Sequence, residues 1–265
     1  MEVDYVKKAW LNGLFFIVAL VVNALGAFGL INGSSQKEVS DKYLTLITPD
    51  PSTFSIWSVI YLFLTLSIVF MIWKKEDAYY QAAINKISSL FIFSSILNMA
   101  WIIAFSFEQL VLSTIFILVF TVTLTLICLQ LLKIQTGKHF LLPLTFGLYT
   151  GWLFIASVVN VAATLVKNEW NGFGLPTEVL ASTTLIVAIV LVFGVLLRVN
   201  NAVFPIPIAW AFFGIYRFLI SPEGFNDAYP MLKVVSLVGM AVLLMMSGLQ
   251  LYKNHYWVIP KNYQA

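Results

Sequence analysis

Apolar side chains in this chain run in long unbroken blocks, without the alternation of a half-buried strand or the two-faced pattern of a soluble helix. The blocks fall at about 9–31, 53–73, 87–107, 110–132, 141–166, 179–197, 203–220 and 231–252. Each is of the length that crosses a hydrocarbon layer of about 30 Å as a helix. Strands of a membrane barrel would be about 10 residues long and alternate in polarity. The pattern therefore predicts eight membrane-spanning helices, which satisfy their own backbone groups in lipid. Lys7 and Lys8 before the first block, and Gly26 and Ala27 near its end, also fit a signal peptide. The block is longer than the usual apolar core of such a peptide, so it is read as a retained span.

Composition agrees. Of 265 residues 60% are hydrophobic and only 10% charged, with a mean hydropathy of +0.92, far outside the range of a soluble domain. The expected class is an all-α integral membrane protein. With the N-terminus cytoplasmic, the inner side carries Lys7, Lys8, Lys74, Lys75, Lys86, Lys133, Lys138, Arg198, Lys253 and Lys261, ten of the fifteen basic residues. Lys37, Lys42, Lys167, Arg217 and Lys233 fall outside. That excess predicts a multi-pass plasma-membrane protein with both termini cytoplasmic. Topology then accounts for the net charge of +3, and no nucleic-acid partner is expected.

Several chemistries are excluded by what the spans lack. The lone Cys128 allows neither an internal disulfide nor a thiolate metal cluster. His139 and His255 lie outside the spans, so no imidazole can ligate haem iron at depth, and no mid-span lysine can hold retinal. No metal and no resident cofactor are expected. The first six spans carry no charge near their centres, which leaves ion coupling without a relay.

What remains at depth is amide and aromatic. The segment ITPDPSTFSIWSVIY (47–61) runs from a proline-broken loop into the second span, where Trp57 and Tyr61 lie four apart on one helix face. In the third span Asn98, Trp101 and Phe105 form one stripe, and in the fifth Tyr149, Trp152, Ala156 and Asn160 form another. Such groups can hold a flat amphipathic molecule by stacking and a few hydrogen bonds. Equally, Asn98 and Asn160 could simply bond across helices while the aromatics fill the bundle, each at under about 1–2 kcal/mol. Arg217 is the one charge embedded in a span, on the face of Trp210. It could anchor an anionic group of a ligand, or reach to water and to Glu223 and Asp227.

FSIWSVIY (54–61), LNMAWIIAF (97–105) and LPLTFGLYTGWLFIASVVN (142–160) resemble the signatures of the TspO/translocator (tryptophan-rich sensory) proteins, in order and in spacing, over about residues 9–166. The resemblance implies a five-helix bundle with a pocket beneath the first loop for porphyrins or other flat apolar ligands such as sterols. It implies pocket roles for Trp57, Tyr61, Asn98, Trp101, Trp152 and Asn160, to which the stripe adds Tyr149. It also suggests a homodimer. The chain departs from the family where a Trp-x-Pro-Pro loop has become Ile-Thr-Pro-Asp-Pro, and where Val161, Ala162 and Ala163 replace the Tyr-containing sterol motif of animal members. The expected layout is a five-helix unit over 1–166, a Gly-rich connection over 167–178 and a three-helix extension over 179–265. The expected function is non-catalytic: a sensor or carrier in the lipid bilayer for a small planar hydrophobic ligand, with a secondary transporter of a small metabolite as the alternative. No nucleophile–base pair for an enzyme can be placed.

Overall fold

The computed structural model describes residues 2–74, 76–136 and 139–261, with side chains from Tyr5 onward. Lys75 and Lys138, counted above among the inner basic residues, lie outside the described residues. The described residues form nine α-helices and no strand: α1 (Glu2–Ala27), α2 (Gln36–Lys42), α3 (Ile56–Trp73), α4 (Ala78–Ser106), α5 (Leu110–Lys133), α6 (Leu141–Lys167), α7 (Thr177–Val199), α8 (Pro205–Ile220) and α9 (Pro230–Lys253). Seven of them, counting α3 with the 3₁₀ turn Pro51–Ser55 in front of it, are long and apolar enough to cross a membrane. The chain is an all-α membrane protein.

Where boundaries differ from the apolar blocks, local chemistry explains it. The first helix stops at Ala27, four residues short of the block's end, where the chain turns through Gly29 at φ 70°. α4 starts well before its block because Asp77 caps it, accepting from the amides of Tyr79 (2.9 Å) and Tyr80 (3.3 Å). The short α2 escaped the apolar reading altogether. It rests on a capping box: the Glu38 amide donates to the Ser35 hydroxyl (3.2 Å) and the Ser35 amide donates to the Glu38 carboxylate (2.6 Å).

The seventh predicted span is α8, and it is shorter than a span at 16 residues, about 24 Å long. The non-helical segment Asn201–Phe204 before it is nevertheless buried. Its polar groups are satisfied by protein. Asn201 Nδ2 donates to the Pro143 carbonyl (2.8 Å), the Ala202 amide donates to the Val258 carbonyl (2.8 Å), and the Ser247 hydroxyl donates to the Ala202 carbonyl (2.6 Å). Irregular backbone at membrane depth is tolerated only under such cover. Pro205 and Pro207 sit in the first turn of α8, where amide groups lack helical partners anyway.

α1 packs on α4, α4 on α5, α5 on α6, α6 on α3 and α3 on α1, closing a ring of five helices. α8 packs on α9 and α9 on α7, and this trio meets the ring chiefly through α8 against α6. One apolar cluster runs through both groups, from Ile60 and Phe146 to Phe212 and Leu243. At the end of the ring where α2 lies, Lys42 donates to both Glu108 carboxylate oxygens (2.8 and 2.7 Å) and Tyr43 donates to one of them (2.6 Å). Those bonds, Lys42 first and Tyr43 next, hold the Glu108 carboxyl below the ordinary carboxylate range. They fasten α2 to the turn between α4 and α5.

Candidate functional site

Inside the ring, Trp57 of α3 is the hub of an aromatic cluster. Its ring stacks on Tyr61, with centroids 5.2 Å apart and planes at 24°, and lies 6.4 Å from Trp101 at 29°. It meets Tyr149 and Trp152 edge to face, both at 6.1 Å. Helices α3, α4 and α6 thus bring five of the aromatic residues singled out in the sequence to one place. Aromatic pairs in these geometries attract by about 0.5–1.5 kcal/mol beyond the area they bury.

The two asparagines have different duties. Asn160 accepts from Trp101 Nε1 (3.0 Å) and from the Ser113 hydroxyl (3.1 Å) and donates to Thr114 (2.7 Å). It is a positioning residue that fixes the Trp101 indole and knits α4, α5 and α6 together. Asn98 accepts from the Asn23 amide of α1, and its own Nδ2 has no partner among the described residues. Trp152 Nε1 is likewise buried without one.

The aromatics largely fill the space they enclose. Beside them, between α1, α3, α4 and α6, the void is about 10 Å³ measured for a water-sized sphere, room for about one water. A guest the size of a porphyrin therefore needs these side chains to part. Among the residues lining that void none is charged.

Over the cluster lies the 3₁₀ turn Pro51–Ser55, from which Phe54 meets Trp152 edge to face at 5.9 Å. Asp50 starts the turn, accepting from the Ser52 amide (2.9 Å) and hydroxyl (2.5 Å). α8 holds the turn in place. Trp210 Nε1 donates to the Thr53 carbonyl (2.9 Å), the Asp50 amide donates to the Gly214 carbonyl (3.0 Å), and Arg217 donates to the Ser52 hydroxyl (3.0 Å) with Asp50 at 3.9 Å. At Gly214 the close approach leaves no room for a side chain, since an added Cβ would overlap the Thr53 hydroxyl and lie 2.8 Å from its methyl. Arg217 accordingly sits at the mouth, half-exposed, on the turn and not in the aromatic cluster. It reaches neither of the acids expected to draw it, for Asp227 pairs with Lys233 (2.5 Å).

Burial pushes the Asp50 carboxyl upward, but the Ser52 bonds and the Arg217 charge outweigh it and hold the pKa below the ordinary aspartate value. A depressed folded-state pKa contributes stability that is complete above the unfolded value, about 3.9, and fades as pH falls through the lower folded one. Asp50→Asn is expected to melt about 2–4 °C below the native protein at neutral pH, as for ~1 kcal/mol. That gap should close on acidification below pH ~4, as thermal scans across pH would read. A gap constant with pH would rule out the carboxylate as its source.

The residues of this clamp were only partly visible in the sequence. Trp210 and Arg217, seven apart on one face, and the proline-broken loop that holds 50–53 were each in view, but nothing in the sequence paired one with the other. Asn23 and the α1 wall of the void were not placed by any stripe.

A family model described as TSPO-like protein matches residues 9–249, running beyond the five spans that carry the signatures above and into α9. No curated protein and no solved structure matches the chain.

Proposed function

This chain belongs to the TSPO-like protein family as a multi-pass membrane protein, and from that premise we propose that it is a receptor or carrier for a planar amphipathic molecule of tetrapyrrole or sterol type. The observation that supports the reading is the convergence of Trp57, Tyr61, Trp101, Tyr149 and Trp152 beneath a clamped turn. Indole and phenol faces at one depth offer stacking area, and their few polar atoms orient a guest. Binding proceeds by parting Trp57 from its neighbours, with the turn as the movable cover. On the same reading the turn faces outward and both termini are cytoplasmic, the arrangement favoured by the distribution of basic residues. Transport coupled to ions draws no support from an uncharged lining.

Titration of the purified protein with protoporphyrin IX should quench tryptophan emission saturably. Trp57→Ala removes four ring contacts and is expected to weaken binding by about tenfold or more, equivalent to ~1.4 kcal/mol. Quenching that never saturates, or an affinity untouched by that substitution, rejects the receptor reading.

A further inference from the structure

Arg217 holds the turn at Pro51–Ser55 with one corner of its guanidinium and leaves the rest unused. Its bond to the Ser52 hydroxyl and its approach to Asp50 are made by the same nitrogen, Nη1. The Nε–Nη2 edge, two parallel N–H groups at the spacing of a carboxylate's oxygens, has no acceptor among the described residues. Asp50 does not satisfy it. At 3.9 Å its oxygen is beyond hydrogen-bond distance, and that same oxygen already accepts from the Ser52 amide and hydroxyl. Other cations at this end of the bundle are matched more closely: Lys37 to Asp41, Lys42 to Glu108 (2.7 Å) and Lys233 to Asp227 (2.5 Å). Glu178 is occupied as well, accepting from the Met231 and Leu232 amides at the start of α9. Arg217 is thus a cation tied to a neutral hydroxyl, with 46% of its side chain exposed.

Its setting supplies the rest of a ligand site. Trp210, two turns earlier on the same face of α8, and Phe54 of the turn are both partly exposed, and Phe54 leads inward through its edge contact with Trp152 (5.9 Å). A flat apolar body entering beside the turn meets these rings, and an acid group on its edge meets the free fork. We propose that Arg217 is a carboxylate anchor at the mouth of the chamber: its Nε–Nη2 edge takes the carboxylate of a planar amphiphile side-on, while Nη1 keeps its hold on Ser52. Bidentate, charge-assisted bonds of this kind are roughly twice as strong as neutral ones, and the partial exposure of the guanidinium keeps the net gain modest. The inference rests on the receptor reading above and narrows it, from planar amphipathic molecules in general to those with an ionised acid at one edge. It also gives α8 a part in recognition as well as in closure.

Protoporphyrin IX and its dimethyl ester share one ring system and differ in whether their carboxyl groups can ionise. Titrated into the full-length protein at neutral pH, with tryptophan quenching corrected for partition into protein-free micelles, the acid should bind about tenfold tighter than the ester, equivalent to ~1.4 kcal/mol. In Arg217→Gln, which keeps a donor for Ser52, the ratio should fall to about one. Arg217→Lys keeps the charge and loses the fork, so there the ratio should fall to about threefold or less. Lys37→Gln removes the same charge from α2 and should leave the ratio at its native value. A native ratio of one, a ratio unchanged in either Arg217 variant, or an equal fall in Lys37→Gln overturns the anchor while leaving the receptor reading intact. Failure of both porphyrins to bind saturably overturns both.

Discussion

Gly214→Leu is expected to unseat the turn at Pro51–Ser55 and open the mouth of the aromatic cluster. The backbone of α8 approaches Thr53 so closely that even a methyl group at position 214 overlaps its side chain. A leucine cannot be relieved by a rotamer change, because the overlapping atom is its Cβ. Either α8 retreats from α6 or the turn lifts. The turn is held by three hydrogen bonds to α8 and one edge contact to Trp152, whereas α8 is also packed along α6 and α9. The turn should therefore yield. Overpacking of this kind costs about 1–3 kcal/mol, and each ~1.4 kcal/mol is a tenfold change in the open population. Thr53 is 2% exposed, and Cys128, the single native thiol, is buried. In a Thr53→Cys, Cys128→Ser background, which keeps the Cβ that a side chain at 214 would meet at 2.9 Å, a water-soluble maleimide should label position 53 about tenfold faster or more once Gly214→Leu is added. Labelling at the native rate would mean that the turn stays closed without α8.

The second large effect is expected at Asn160. Asn160→Leu keeps the branched shape but strands the Trp101 indole N–H and the Ser113 hydroxyl and removes one of the two bonds to the Thr114 hydroxyl, all in one stroke. Bonds of this type between membrane helices average about 0.6 kcal/mol and reach about 1.7. Three of them, with a buried indole left unpaired, should lower stability by about 2–4 kcal/mol. Thr114 has a second bond, to Thr164 (2.7 Å), and Ser113 lies at the helix start, so the indole bears most of the loss. Unfolding followed by titration with denaturing detergent would measure it. Trp101→Phe is the partner experiment: if the Asn160–Trp101 bond carries the effect, the double variant should cost less than the sum of the two singles. Strict additivity would dissolve the proposed link between them.

The spans could be read from the sequence because a continuous apolar block admits one structure in lipid, and the blocks at 110–132 and 141–166 differ from α5 and α6 by one residue at one end. The aromatic stripes were equally legible, since spacings of three and four on a helix put Trp57 beside Tyr61 and Asn98 beside Trp101 whatever the rest of the chain does. What could not be read is any contact between residues distant along the chain. Nothing about Thr53 announces Trp210, and nothing about Asn23 announces Asn98. The Ser35–Glu38 box was in plain view but fell between apolar blocks. For α8, the block length suggested helix over the whole stretch, whereas Asn201 and Asn254 hold its first part as buried loop by bonds that no periodicity encodes.

The clamp also imposes an order of events on the making of the protein. Thr53 and Trp210 are 157 residues apart in the chain, so a ribosome working at about 5–20 residues per second delivers the second roughly 8–30 s after the first. The five-helix ring is complete once Lys167 has been made, and for the roughly 2–9 s that the chain from there to Trp210 takes at the same rate its aromatic centre has no seal. The nascent chain thus passes through a stage in which the chamber is open to whatever the translocation machinery and the surrounding lipid present, and only the arrival of α8 shuts it.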